Sequence, residues 1–218
     1  PFNAVHGPLR TESRDADSAR PDWLKIYEEA GVDQPRRDYN AVMSHADDRA
    51  GDVLEMLDEL KLAENTLVIY LSDNGGITHT YPSNNGPLRG GKGEAWEGGI
   101  RVPAVMQWPG TIPSGSISKA DGMHFDLFTT ILEVAGIDIP GTNGRLDVDG
   151  ISLLEHLKSG GKTPLPDRTL FWDLFGKQCA IHGPWKIVGD TGNHNGNFDT
   201  AASKAQEADY MLVNLNND

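Results

Sequence analysis

The chain has 218 residues, 38% of them apolar, enough for a real hydrophobic core and against disorder throughout. Nineteen Lys and Arg against 32 Asp and Glu leave a net charge of -13, a balance that repels a phosphate backbone and argues against nucleic acid as a partner. A single cysteine, Cys179, excludes an internal disulfide and a Cys-rich zinc site, and the longest apolar runs, residues 66–71 and 125–135, are too short to span a bilayer.

The text opens on Pro1-Phe2-Asn3-Ala4-Val5-His6, which reads as the interior of a strand and suggests a fragment of a longer protein. Residues 7–37 are rich in Pro, Arg, Asp and Ser and read as a surface excursion with a short helical patch near residues 23–30. From Asp38 the apolar residues Val42, Ala46, Ala50, Val53, Leu57 and Leu60 recur every three or four places, which predicts an amphipathic helix. The run Thr66-Leu67-Val68-Ile69-Tyr70-Leu71 is β-rich and apolar on both faces, as expected of a central strand covered by helices, with the preceding helix packed against its sheet.

Residues 72–99 hold many glycines and few apolar residues, so they form a long loop, the kind of segment in which chemistry is sought. Residues 101–108 read as a short strand closed by Pro109-Gly110. Phe125, Phe128, Ile131, Leu132 and Ala135 then follow at helical spacing up to a glycine stop at Gly136, and residues 152–157 could add a short helix. From about Asp167 the strand-like pieces 169–175, 178–182, 185–188 and 211–215 predict a small antiparallel sheet, with the Gly-, Asn- and Ala-rich residues 189–205 read as a loop or a disordered stretch. No internal repeat is present.

Within the loop, Asp73 and Asn74 stand at the carboxyl end of the predicted strand, where open α/β sheets place their ligands. A carboxylate beside an amide oxygen, with no adjacent Cys or His, suits a hard cation such as Ca²⁺ or Mg²⁺, although Asp-Asn-Gly-Gly is also what a plain turn selects. Lys92 lies in Leu88-Arg89-Gly90-Gly91-Lys92-Gly93, a cation among glycines whose bare backbone admits an anion such as phosphate or sulfate. Gly86, Gly91 and Lys92 match a nucleotide-binding G-x-x-x-x-G-K. However, Gly93 occupies the place of the required Ser or Thr, no strand leads directly into the segment, and Gly98-Gly99 argues against a following helix. His6, at a strand end before Gly7-Pro8, could face a site, and His79 is a substrate-contacting candidate because it shares the loop with Asp73 and Lys92. The remaining histidines form no metal-ligand spacing, no G-x-S-x-G elbow occurs, and Cys179 reads as a buried structural thiol.

Taken together, Asn65-Thr66-Leu67-Val68-Ile69-Tyr70-Leu71-Ser72-Asp73-Asn74-Gly75-Gly76, Pro87-Leu88-Arg89-Gly90-Gly91-Lys92-Gly93 and Trp96-Glu97-Gly98-Gly99-Ile100-Arg101-Val102-Pro103 resemble the sulfatase family. Asn3-Ala4-Val5-His6-Gly7-Pro8, Asp149-Gly150-Ile151-Ser152-Leu153 and Gly183-Pro184-Trp185-Lys186-Ile187-Val188 extend the resemblance along nearly the whole chain. It implies an α/β fold of the alkaline-phosphatase-like kind. Residues 1–166 would be the later part of the catalytic domain, and residues 167–218 a small, truncated α+β subdomain. It further implies Asp73 and Asn74 as ligands of an active-site Ca²⁺, and Lys92 and His6 as contacts of the sulfate group. The implied activity is calcium-dependent hydrolysis of a sulfated small molecule or sulfated glycan, and the implied residence is extracytoplasmic. The Cys-x-Pro-x-Arg or Ser-x-Pro-x-Arg segment whose Cys or Ser becomes formylglycine in such enzymes does not occur among these residues, nor does the earlier Asp pair that completes the calcium site. The chain alone is therefore expected to be inactive. A phosphate or phosphonate ester hydrolase of the same fold, or a folded fragment without turnover, stands as the alternative.

Overall fold

The computed structural model describes residues 5–6, 21–79, 81–138, 148–174, 176–190 and 209–216. Of the predicted loop 189–205, residues 189–190 belong to a strand and the rest, like most of the opening segment, fall outside the described residues. The chain divides into two compact units, residues 1–63 with 70–105, and residues 64–69 with 106–218.

In the first unit, α1 (Pro21–Glu29) and α2 (Arg36–Glu59) pack against each other. Ala41 and Val42 of α2 are buried, with Val5, Trp23, Leu24 and Tyr27 closing over them. Polar tips of the same aromatic residues are satisfied across the pair: the Trp23 indole N–H donates to Asp48 Oδ2 at 2.6 Å, and the Tyr27 hydroxyl meets Ser44 Oγ at 2.8 Å. The predicted helix thus exists, but among the described residues its buried part is the first half and its partner is α1, not the strand. Val53 and Leu60, further along the stripe, are exposed. Helical period fixes which residues share a face; it does not say what covers that face.

The helix α2 ends in a reciprocal pair of turns: Leu62 N–H donates to Leu57 O at 2.8 Å and Lys61 N–H to Asp58 O at 3.0 Å. Lys61 takes φ +57° to make them, a conformation that costs a side-chain-bearing residue about 1 kcal/mol. Lys61→Gly is therefore expected to raise stability by about 0.5–1 kcal/mol, seen as a higher denaturant midpoint at unchanged slope.

A 3₁₀ turn (Ala63–Asn65) leads into β1 (Val68–Leu71), which pairs with β2 (Ala104–Gln107) as a two-stranded sheet. Between them, Glu97–Ile100 forms the one-turn helix α3. The expectation of a fully covered central strand is not met among the described residues: β1 has one strand neighbour, and Tyr70 and Val105 are exposed.

The second unit holds α4 (Asp126–Val134), α5 (Leu154–Lys158) and a four-stranded antiparallel sheet. That sheet runs β3 (Leu170–Leu174), β4 (Lys177–His182), β5 (Trp185–Asp190), β6 (Asp209–Asn214), in sequence order. Its register sets Leu170 opposite Ile181 and Cys179 opposite Val188, and these four are buried on one face. The antiparallel sheet and the buried thiol agree with the sequence. Helix α4 closes as predicted, with Gly136 at φ +65°, its N–H on Glu133 O and Ile137 N–H on Leu132 O.

Its buried face differs from the sequence expectation. Phe128 and Ile131 are 53% and 51% exposed, whereas Asp126, Thr129 and Thr130 are fully buried. Asp126 accepts hydrogen bonds from the Met123 and Ile151 main-chain N–H groups at 2.7 and 3.0 Å and from both Arg168 guanidinium nitrogens, Nη1 and Nη2, at 2.7 and 2.5 Å. Thr130 Oγ1 accepts Leu153 N–H at 2.9 Å. The polar face is buried because its partners are polar: it fastens the chain of residues 149–153 and Arg168 to the start of α4.

Candidate functional site

The turn at Ser72-Asp73-Asn74-Gly75 and the segment carrying Lys92 both lie in the first unit, and main-chain bonds join them. Gly75 N–H donates to Gly99 O at 3.0 Å, and Lys92 N–H to Gly76 O at 3.2 Å. A side chain adds to this: the Asn85 Oδ1 accepts Gly76 N–H at 2.9 Å, and its Nδ2 donates to Gly76 O at 3.1 Å and to Gly90 O at 2.9 Å.

The glycines explain how a loop without regular structure becomes this compact. A Cβ built on Gly75 would overlap the Gly98 carbonyl, one on Gly98 the carbonyls of Arg89 and Gly90, and one on Gly99 those of Glu94 and Gly91. Backbone meets backbone at each place, which only glycine permits. The Gly98-Gly99 pair therefore does not prevent helix formation, as the sequence suggested. It sits buried inside the single turn α3, tucked under the loop.

At the turn itself, Ser72 Oγ donates to Asn74 O at 2.8 Å, and the exposed Asp73 accepts Asn74 N–H on one carboxylate oxygen at 2.9 Å. Asn74 Nδ2 donates to Gly75 O at 2.9 Å. The second Asp73 oxygen and the Asn74 amide oxygen remain as neighbouring hard donors, a fitting but partial ligand set for Ca²⁺, which takes six to eight oxygens. Among the described residues no group of three or more His, Cys, Asp or Glu is placed to hold a metal ion.

Lys92 is half-buried, and among the described residues its ammonium pairs with no carboxylate. The neighbouring cations are differently occupied: Arg89 lies over the Trp96 ring with 3.6 Å to the centroid, and Arg101 reaches Glu97 at 3.5 Å. Glu94, the acid nearest in sequence, accepts Gly91 N–H at 2.8 Å. His79 is exposed in the same loop, and His6 is exposed beside Val5, which packs on the Ala41–Val42 core of this unit.

A cavity of about 480 Å³ lies in the second unit and contains none of these residues. Lys119, Lys162 and Arg168 in its wall are balanced by Asp121 and Asp167 together with the Asp126 partner of Arg168. It presents no net attraction for an anion.

The family model described as Sulfatase matches residues 2–137, more than half of the chain. The chain belongs to the sulfatase family. It is 35% identical to human N-acetylgalactosamine-6-sulfatase over 165 residues, covering 74% of this chain and 29% of that protein. It is 30% identical to a sulfatase of Formosa agariphila over an alignment of 230 positions, which takes in the whole chain and 39% of the relative. The crystal structure of Ps i-CgsB in complex with k-i-k-neocarrahexaose superposes with a TM-score of 0.76 at 24% identity, over 99% of this chain and 42% of that one. This sulfatase chain therefore has the α/β, alkaline-phosphatase-like fold, and it spans well under half the length of these three relatives.

Asn85 escaped the reading of the sequence. The signal was there, in the Asn84-Asn85-Gly86-Pro87 string directly before the lysine segment, but Asn before Gly is equally an ordinary turn dipeptide.

Proposed function

We propose that this chain supplies one side of the active centre of a calcium-dependent sulfate-ester hydrolase. The observation that carries the reading is the main-chain bond from Lys92 N–H to Gly76 O, which sets the Lys92 segment next to an oxygen-rich turn. Lys92 would grip an oxygen of the sulfate group and offset charge that grows on the transferred group, the dominant kind of stabilisation in anion transfer. His6 would hydrogen-bond a sulfate oxygen or assist the leaving oxygen, and His79 would touch the substrate at the loop's outer edge. Asp73 and Asn74 would hold Ca²⁺, which when bound polarises the ester. Formylglycine, implied by the family, would supply the nucleophile from a Cys/Ser-x-Pro-x-Arg segment that these 218 residues do not contain, so this chain alone would not turn over.

A sulfated glycan is the substrate class best supported, by the relative named for N-acetylgalactosamine-6-sulfate and by the neighbour crystallised with a neocarrahexaose. Among the described residues no helix is long and apolar enough to cross a membrane. An extracytoplasmic residence is proposed from the family resemblance.

The test is calorimetric titration of Ca²⁺ into the intact protein and its Asp73→Ala variant, paired with turnover of a sulfate ester. Asp73→Ala is expected to weaken Ca²⁺ binding and to lower kcat by about 100-fold or more, as loss of a polarising metal costs several kcal/mol of transition-state stabilisation. Glu133→Ala, an exposed change on α4, should alter neither. Equal Ca²⁺ affinity in wild type and Asp73→Ala would reduce the Asp-Asn-Gly-Gly segment to a turn. Faster hydrolysis of the phosphate ester of the same alcohol would move the reading to the phosphoesterase alternative.

A further inference from the structure

We infer that Asn85 is the positioning residue of this site, the side chain that fixes Lys92 against the Asp73–Asn74 turn. The inference rests on the reading of Lys92 as the sulfate-gripping cation.

Asp73 and Lys92 are separated by a loop with no regular structure before α3, so their mutual placement depends on whatever bridges the two ends. Asn85 contacts both. Its amide oxygen takes the N–H of Gly76, and its amide nitrogen gives one hydrogen bond to Gly76 O and one to Gly90 O. A primary amide can make four hydrogen bonds, and here both of its N–H donors and one of the two lone pairs on its oxygen are engaged. The orientation of the amide is settled by the same partners, because the flipped form would set its N–H₂ against an N–H and its oxygen against two carbonyls. Aspartate has the shape of Asn but neither donor, and glutamine carries the group one methylene too far.

The carbonyl that Asn85 holds is also the one that receives Lys92 N–H, at 3.2 Å. The Gly76 peptide is therefore clamped on both of its polar groups, and Lys92 hangs from it. There is no slack on the lysine side: a Cβ on Gly91 would lie 2.5 Å from Gly76 O and 3.3 Å from Asn85 Nδ2. Ser83 Oγ, which donates to Ile77 O, and Glu94, which accepts Gly91 N–H, each brace one end of the loop without joining the two. Losing Asn85 would thus leave Lys92 present but displaced, and displacement of a catalytic charge by about 1 Å can cost on the order of 100-fold.

The experiment is a double-mutant cycle in the intact enzyme, Asn85→Ala and Lys92→Ala singly and together, read as kcat/KM for a sulfate ester and as inhibition by inorganic sulfate. Lys92→Ala is expected to lower kcat/KM by roughly 100- to 1,000-fold. Asn85→Ala should lower it by about 10- to 100-fold and weaken inhibition by sulfate, yet change it less than about twofold when Lys92 is already alanine. A residue that only stabilised the fold would cost the same factor in both backgrounds, and that result would overturn the inference. So would an Asn85→Ala variant with wild-type kcat/KM. An unaffected Lys92→Ala single variant sinks the reading of Lys92 itself, which the other outcomes leave standing. Should Asn85→Ala fail to fold, Asn85→Ser, which keeps one donor, enters the same cycle with the same criteria.

Discussion

Replacing Arg168 with methionine is expected to destabilise the second unit by about 3–5 kcal/mol. Asp126 is completely buried, and its carboxylate is compensated by two main-chain N–H groups and a two-pronged guanidinium. Arg168 Nη2 also reaches Asp121 O at 3.3 Å, so one side chain ties the stretch at residue 168 both to the segment before α4 and to the first residue of the helix. Without it, a charge stays buried with half of its partners, and the penalty is that of an uncompensated carboxylate, not of one lost hydrogen bond. Chemical denaturation of Arg168→Met would measure the effect. Replacing both members, in Asp126→Leu with Arg168→Met, removes the stranded charge as well and should recover much of the loss. A single Arg168→Met change that costs under about 1 kcal/mol would show that Asp126 does not depend on this partner.

Gly98→Ala is the second change with a large expected effect, and it acts on the candidate site. The added methyl would occupy the space of the Arg89 and Gly90 carbonyls, and Gly98 N–H already donates to Arg89 O at 2.7 Å. Both obstacles are main chain and cannot rotate aside, so the Lys92 segment must lift away from α3. A loss of about 1–3 kcal/mol in stability is expected, with a fall in activity beyond what that loss explains. Gly93→Ala, one residue past Lys92, serves as the comparison. Its φ is +82° but nothing lies within 4 Å of the new methyl, so strain alone should cost about 1 kcal/mol. Thermal unfolding together with kcat/KM distinguishes them: equal effects from the two substitutions would mean that backbone contact at Gly98 is not what shapes the loop.

The loop's candidacy as the seat of the site was legible because its composition is so unlike the rest: Asp73-Asn74 at a strand end and Lys92 among glycines offer oxygen donors and a cation suited to an anion with no tertiary information. What joined them was not legible. Asn85 lies nine residues from Gly76 and five from Gly90, and a hydrogen bond between residues that far apart leaves no periodic trace in the chain.

The sequence by itself determined the local elements and the family. The spacing of Val42, Ala46 and Leu57 specifies α2, Gly136 stops α4, and the short β-rich pieces after Asp167 give the antiparallel sheet, since each follows from dihedral preference and side-chain period. Tertiary structure alone decided which faces are buried. Helix α4 offers Phe128 and Ile131 as an apolar stripe, yet it turns Asp126, Thr129 and Thr130 inward, because Arg168 and the chain at residues 149–153 bring polar groups that must be matched. Periodicity encodes the faces that a helix has, whereas burial depends on the partner that arrives, and in α4 the partner is a buried ion pair between residues 42 positions apart.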